Sequence, residues 1–152
     1  MEPPPERKPV VLNRVLEESL LAHYGAFTRR GITPVLSVTD TPVRRELDPT
    51  ALRRILDNLF SNALKYSQGD LAVTLTAEGE ITVSNTAPAL DPVSVGRLFD
   101  RFYTVETGRS STGLGLSIAR LLTEAMGGEI QARWQEGCLT MVLEFPAPVN
   151  LP

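Results

Sequence analysis

Asn58, Asn62 and Lys65 fall within a segment whose apolar residues Leu52, Ile55, Leu56, Leu59 and Ala63 recur with helical spacing. At about 100° per residue the apolar set points one way, and the two amides and the ammonium form a stripe along one edge of that face. Asparagine offers a neutral carbonyl oxygen that can help hold Mg²⁺, an ion that otherwise keeps waters and substrate phosphate oxygens; lysine adds a compact positive charge for phosphate. The stripe suits a magnesium–nucleotide complex. Three polar residues on a helix edge are also what plain solvation produces, so the stripe alone leaves both readings open.

A second group lies at Ser111-Thr112-Gly113-Leu114-Gly115-Leu116-Ser117-Ile118-Ala119, where two glycines open a helical pattern. A helix start presents unpaired N–H groups and a partial positive charge, and glycine lets a phosphate approach them. The same residues could be a flexible loop leading into a tightly packed helix. Because residues 86 to 111 run straight into this turn, they could close over a bound nucleotide as a lid.

The elements that must position these groups follow from periodicity and punctuation. Leu12, Val15, Leu16, Leu20 and Phe27 predict an amphipathic helix from Leu12 to about Arg30, ended by Gly31, and Thr33 to Val38 reads as a strand. Asp48 and Pro49 are a cap and a first-turn residue, so the Asn/Lys helix starts there and continues to Tyr66. Leu71, Val73 and Leu75 alternate, as do Ile81 and Val83, around Glu78-Gly79, predicting a hairpin. A polar stretch with a short apolar island follows, then a helix marked by Leu114, Ile118, Leu121, Leu122 and Ala125 and stopped at Gly127-Gly128. Strands at Glu129–Trp134 and Leu139–Phe145, turning at Glu136-Gly137, complete the pattern. The expected fold class is α/β: a two-layer sandwich, its mixed, mostly antiparallel sheet covered on one face by about three helices. Residues 1–8 read as a linker, 9–146 as one domain and 147–152 as a tail, with prolines at both ends.

Composition narrows the partners. A net charge of −3 gives no basic face for nucleic acid, and Cys138 and His23, the single cysteine and histidine, supply no internal disulfide and no metal cluster. No apolar run approaches the roughly 20 residues of a membrane span, and the opening residues resemble no signal peptide. A cytoplasmic domain, monomeric in isolation, is the expectation.

Taken in order, Asp57-Asn58-Leu59-Phe60-Ser61-Asn62-Ala63-Leu64-Lys65-Tyr66-Ser67, Leu98-Phe99-Asp100-Arg101-Phe102-Tyr103 and Thr112-Gly113-Leu114-Gly115-Leu116 resemble the N, F and G2 boxes of the bacterial sensor histidine kinases. These belong to the wider gyrase, chaperone, kinase and mismatch-repair ATPase superfamily. The resemblance covers nearly all of residues 9 to 146 and implies the Bergerat ATP-binding fold, with ATP and Mg²⁺ as cofactors. It implies that Asn62 is the magnesium ligand and that Asn58, Lys65, Tyr66 and Asn85 face the nucleotide. Thr112, Gly113, Leu114, Gly115 and Leu116 would wrap the phosphates, and Asn58, Lys65 and Arg101 would serve phosphoryl transfer. The partners implied are a histidine-bearing dimerisation helix bundle of the same kinase, expected to lie outside residues 1–152, and a response regulator. The full-length kinase would be homodimeric and membrane-anchored.

The family's G1 box, Asp-Asn-Gly-Pro-Gly-Ile, is replaced here by Asn85-Thr86-Ala87-Pro88-Ala89-Leu90, and Ser111 replaces the first glycine of the G2 box. A neutral hydrogen bond is worth about 0.5 to 1.5 kcal/mol net and a charged one about 1.5 to 3, so Asn85 for aspartate costs ATP on the order of 1 to 2 kcal/mol. Ala87 and Ala89 should reshape the loop, because alanine tolerates positive φ poorly. His23 lacks the acidic residue and downstream proline of the family's phosphoacceptor box and reads as an ordinary structural or surface histidine. Phe99 and Phe102 either anchor the lid on the neighbouring bundle or form their own cluster, and Arg101 and Arg109 either touch phosphate or are solvated.

Three functions follow. Transfer of the γ-phosphate of Mg-ATP to a histidine leads. A non-catalytic pseudokinase or binding module is the alternative that Asn85, Ala87 and Ala89 motivate. A hydrolytic ATPase is weakest, because the superfamily's hydrolases use a glutamate to activate water and Asn58 offers only an amide, which is no general base.

Overall fold

The structure, a computed structural model, describes residues 6–101, 103 and 115–148. In chain order its elements are β1 (Lys8–Val11), α1 (Leu12–Arg29), β2 (Thr33–Val38), β3 (Arg44–Leu47), α2 (Pro49–Tyr66), β4 (Asp70–Leu75), β5 (Ile81–Thr86), α3 (Pro92–Val95), α4 (Gly115–Ala125), β6 (Glu129–Gln135) and β7 (Cys138–Glu144). Five strands form one sheet in the order β2-β4-β5-β7-β6, parallel between β2 and β4 and antiparallel elsewhere. The expected two-layer sandwich with a mixed, mostly antiparallel sheet is what the chain adopts.

Strand parity divides the sheet into a dry and a wet face. On β5 Ile81, Val83 and Asn85 are buried while Thr82, Ser84 and Thr86 are not, and on β7 Leu139, Met141 and Leu143 face the same core. The long helices α1, α2 and α4 cover that face, contributing the buried Leu16, Phe27, Leu52, Ile55, Leu56, Leu59, Phe60 and Ala119. Fully burying each large side chain contributes about 1.5 to 3 kcal/mol, which is how a 3.6-residue period in the sequence becomes a fixed helix face. All five residues that predicted α1 are buried; Leu121, one of the markers of α4, instead lies on its outer side.

Asp48 caps α2 as expected, its Oδ1 accepting from Thr50 N at 2.9 Å and Ala51 N at 3.2 Å, with Pro49 in the first turn. The sequence did not predict β1 and β3, which pair antiparallel as a separate two-stranded sheet from Lys8↔Leu47 to Val11↔Arg44. Lys8, read above as linker, is the first residue of β1, and the preceding Glu6 donates its amide to Asp48 Oδ2 at 3.1 Å. The polar stretch after β5 contains the short α3, whose Asp91 and Ser94 form a capping box.

Candidate functional site

Helix α2, which carries the polar stripe, packs against both α4 and β5. Asn62 is buried, with 9% of its surface exposed, although it is polar, and its Nδ2 has no hydrogen-bond partner. Asn58 is half-buried one turn earlier; a Cβ added at Gly115, the first residue of α4, would lie 3.4 Å from Asn58 Oδ1. The start of α4 thus lies against Asn58, bringing Asn58 and Gly115 together from two separate sequence motifs. One turn further along α2, Lys65 is half-buried, and burial lowers its pKa. A partly desolvated ammonium favours an anion beside it. Its Nζ sits 5.1 Å from the centroid of the Tyr66 ring, and Tyr66 is buried within the core.

Asn85 comes from the last turn of β5's inward parity. It is 1% exposed, its Nδ2 donates to Thr86 O at 2.8 Å, and its Oδ1 has no partner. An unpartnered buried acceptor costs free energy, so Asn85 and Asn62 are two unfilled hydrogen-bonding valences on the dry side of the sheet. The Asn85 amide is fixed by its surroundings: turned over, it would set Oδ1 against the Thr86 carbonyl oxygen.

The loop after Asn85 has ordinary backbone. Among the described residues Glu136, at φ 53°, is the one non-glycine with positive φ, so Ala87 and Ala89 do not adopt the left-handed conformation. Ala87 is fully buried, its N–H donating to Gly137 O at 2.9 Å, and its carbonyl accepts from Leu90 N. The two methyl groups are accommodated by a loop that avoids the glycine region.

Of the remaining site residues, Leu116 is buried in the first turn of α4 and Arg101 is exposed beyond α3. Thr112, Gly113 and Leu114, with Phe102 and residues 104–111 of the expected lid, Arg109 among them, lie outside the described residues. Phe99 packs partly against the core, under the Arg120 guanidinium at 5.6 Å. His23 is structural: Nδ1 bonds Ser19 O at 2.9 Å, and the ring lies 5.4 Å from that of Phe60. Among the described residues no group of three or more His, Cys, Asp or Glu could hold a metal.

Sequence reasoning overlooked Asp70. Its carboxylate accepts from Thr86 N at 3.0 Å and Thr86 Oγ1 at 2.6 Å, directly behind Asn85. The available signal was Ser67-Gln68-Gly69-Asp70, a turn composition ending in a residue that strands disfavour.

Asn62 on α2 and Asn85 on β5 each bury one amide atom without a hydrogen-bond partner. Residues 47–149 match the family of histidine kinase-, DNA gyrase B- and HSP90-like ATPases, and the chain belongs to that family. It is 34% identical over 133 residues to the sensor histidine kinase YcbM of Bacillus subtilis, covering 82% of this chain and 43% of that protein. It is also 34% identical over 114 residues to WalK of Bacillus subtilis, 68% of this chain and 19% of that one. The chain therefore spans less than half the length of these curated relatives. Among solved structures, full-length ShkA in complex with AMPPNP superposes with a TM-score of 0.82 at 26% identity, over 97% of this chain and 32% of that one. The catalytic domain of histidine kinase ThkA superposes at 0.81 with 24% identity over 93% and 96% of the two chains, a likeness of fold. No helix among the described residues is long and apolar enough to cross a membrane.

Proposed function

We propose that this domain binds Mg-ATP between α2, α4 and the inward end of β5, and presents the γ-phosphate to a histidine on a dimerisation helix bundle of the same kinase. The observation that carries the reading is the pair of buried, unpartnered amide atoms, Asn85 Oδ1 and Asn62 Nδ2, beside the Asn58–Gly115 contact. Asn85 Oδ1 accepts a hydrogen from the adenine amino group. Asn62 is the magnesium ligand through its carbonyl oxygen, leaving Nδ2 to donate to a phosphate oxygen. Lys65 neutralises phosphate charge from a partly desolvated position, and the amides at the start of α4, from Gly115 and Leu116 together with Thr112, Gly113 and Leu114, take the remaining oxygens. A magnesium ion held through Asn62 would neutralise phosphate charge, and the rest is positioning. Asn58 stands by the transferred group without taking a proton, because an amide is no base; this supports phosphotransfer over water activation. Arg101 is assigned to the developing phosphoryl charge. The relatives are named sensor histidine kinases, which supports phosphorylation of a histidine; a response regulator as next acceptor, a homodimeric kinase and a cytoplasmic setting are part of the same proposal.

The experiment is calorimetric titration of ATP with and without Mg²⁺ into the native domain and Asn62→Ala, followed by phosphotransfer to a supplied histidine bundle. Native binding should be micromolar to millimolar and strengthened by Mg²⁺, and Asn62→Ala should lose that strengthening and the transfer. No heat at several millimolar nucleotide would favour the pseudokinase reading, and full activity of Asn62→Ala would end the ligand assignment.

A further inference from the structure

We propose that Asp70 is a positioning residue for base selection: its carboxylate takes the Thr86 amide and, with its own amide held by Ser67, keeps the strand end open, which leaves the Thr86 carbonyl to hold the NH₂ of Asn85, so that Asn85 turns its oxygen to the base. This rests on the reading of Asn85 as the adenine contact.

The argument starts from the register of β4 and β5. Their pairing runs from Leu75↔Ile81 to Ala72↔Ser84, and beyond the hairpin end Thr76 N donates to Glu80 O at 3.0 Å. In an antiparallel ladder directly opposed residues alternate between exchanging both backbone bonds and exchanging none. The pair 76/80 sets that alternation, so 74/82, 72/84 and, next in line, Asp70/Thr86 are positions at which both bonds are exchanged. At Asp70/Thr86 all four backbone groups are diverted instead. Thr86 N–H goes to the Asp70 carboxylate. Asp70 N–H goes to Ser67 Oγ at 3.1 Å, and Asp70 C=O accepts from the same hydroxyl. Thr86 C=O, which would have taken Asp70 N–H, accepts from Asn85 Nδ2 at 2.8 Å.

Thr86 lies on the wet face and Asn85 on the dry one, so the clamp acts from outside the site. The Thr86 hydroxyl adds a second bond to Asp70, at 2.6 Å, that holds the strand end open. With Nδ2 turned to Thr86 O, the atom that Asn85 leaves without a partner is its Oδ1 acceptor. An acceptor pairs with the amino group of adenine and repels the carbonyl oxygen that guanine carries at the same place. An unanchored amide would rotate to serve either base. Asparagine in this setting therefore recovers, through Asp70 and Thr86, the one-way polarity that an aspartate has by nature.

Two measurements test this, one without nucleotide. Heteronuclear NMR of the nucleotide-free domain should find the Asn85 side-chain NH₂ protected from exchange in the native protein and in Asp70→Asn, which keeps an acceptor for Thr86 N–H. Asp70→Ala, which lets the ladder close onto Thr86 C=O, should abolish the protection. Titration with Mg-ATP and Mg-GTP should give a native preference for ATP of about tenfold, the worth of one hydrogen bond, falling to about threefold or less in Asp70→Ala and retained in Asp70→Asn. Where Asp70→Ala does not fold, Asp70→Ser, too short to bridge both Thr86 groups, replaces it with the same expectations. Retained protection and retained preference in the folded variant overturn the proposal. Equal weakening of ATP and GTP also overturns it, because it reduces Asp70 to a structural role. A native domain that binds neither nucleotide while its Asn85 amide stays protected marks failure of the adenine reading itself, and base selection falls with it.

Discussion

Replacing Asn85 with aspartate restores the residue that the G1 box of sensor histidine kinases would have, yet this protein should resist the change. In the native domain Asn85 Nδ2 donates to Thr86 O at 2.8 Å, and the residue is 1% exposed. An ionised aspartate has no donor, so Asn85→Asp loses a neutral hydrogen bond worth about 0.5 to 1.5 kcal/mol and sets one oxygen against a carbonyl oxygen. Leaving that buried charge without a partner adds about 1 to 3 kcal/mol, so the nucleotide-free domain should be destabilised by about 2 to 4 kcal/mol near pH 8. For a chain of this size that is a fall in Tm of roughly 6 to 12 °C. A protonated carboxyl, in contrast, can donate its O–H to Thr86 O and imitate the amide. The carboxyl pKa of the folded variant is therefore raised, its stability is greatest below the unfolded value and is lost as pH rises through the folded one. Urea denaturation at pH 5 and pH 8 reads both terms. Calorimetry with ATP reads the opposing gain of about 1 to 2 kcal/mol from a charged bond to the adenine amino group. A loss of stability under about 0.5 kcal/mol at pH 8, or one that does not change with pH, would refute the locked amide.

Three further outcomes follow from the same geometry. Gly115→Ala should raise thermal stability slightly, by up to about 1 kcal/mol of helix propensity, because the new Cβ fits beside Asn58 Oδ1 at 3.4 Å, while weakening Mg-ATP binding several-fold, because the methyl takes up space at the helix start proposed to face phosphate; melting and titration that move in the same direction would count against that placement. Asp48→Ala removes acceptors for Thr50, Ala51 and Glu6 amides, so a loss of about 1 to 2 kcal/mol is expected in urea melts, with increased exchange of both the α2 start and the amide of Glu6. Burial pushes Asp70 up, but hydrogen bonds from the Thr86 side chain and backbone outweigh it and hold the carboxyl below its usual value near 3.8. Its stabilisation is therefore complete above that value and lost as pH falls below it, and Asp70→Asn should flatten the fall in stability between about pH 4 and 3.

Periodicity is legible wherever a helix or strand has one dry side. The markers of α1 and α2 and the cap at Asp48 translate directly into buried faces because hydrophobic burial dominates their placement. β3 was hidden because its inward positions are Arg45 and Leu47: a buried guanidinium, held by the carbonyls of Phe145, Arg44 and Glu78, breaks the apolar alternation. α3 is four residues long, too short for any period, although Asp91-Pro92-Val93-Ser94 carries its capping box in plain view. At the candidate site, the Asn58, Asn62 and Lys65 stripe was readable from helix geometry. The clamp of Asp70 on Thr86 was not, since it depends on a strand register that joins residues 16 positions apart.

The two-faced sheet has a consequence for how this chain can diverge. On its wet face hydroxyls satisfy one another: Thr74 with Thr82, and Ser84 with Thr140 at 2.9 Å and with Cys138 at 3.3 Å. Small polar groups that bond sideways within a sheet need no second layer, so neutral drift can exchange them at little cost, while the alternate residues along the same strands answer to the core. Mutational tolerance along β5, and along β7 as far as Met141, should accordingly oscillate with a period of two, dropping at Val83, Asn85, Leu139 and Met141 and recovering at Ser84, Thr140 and Thr82. Thr86 breaks the oscillation: it sits on the tolerant face but is tied to Asp70, and a saturation scan should find it as intolerant as its buried neighbour.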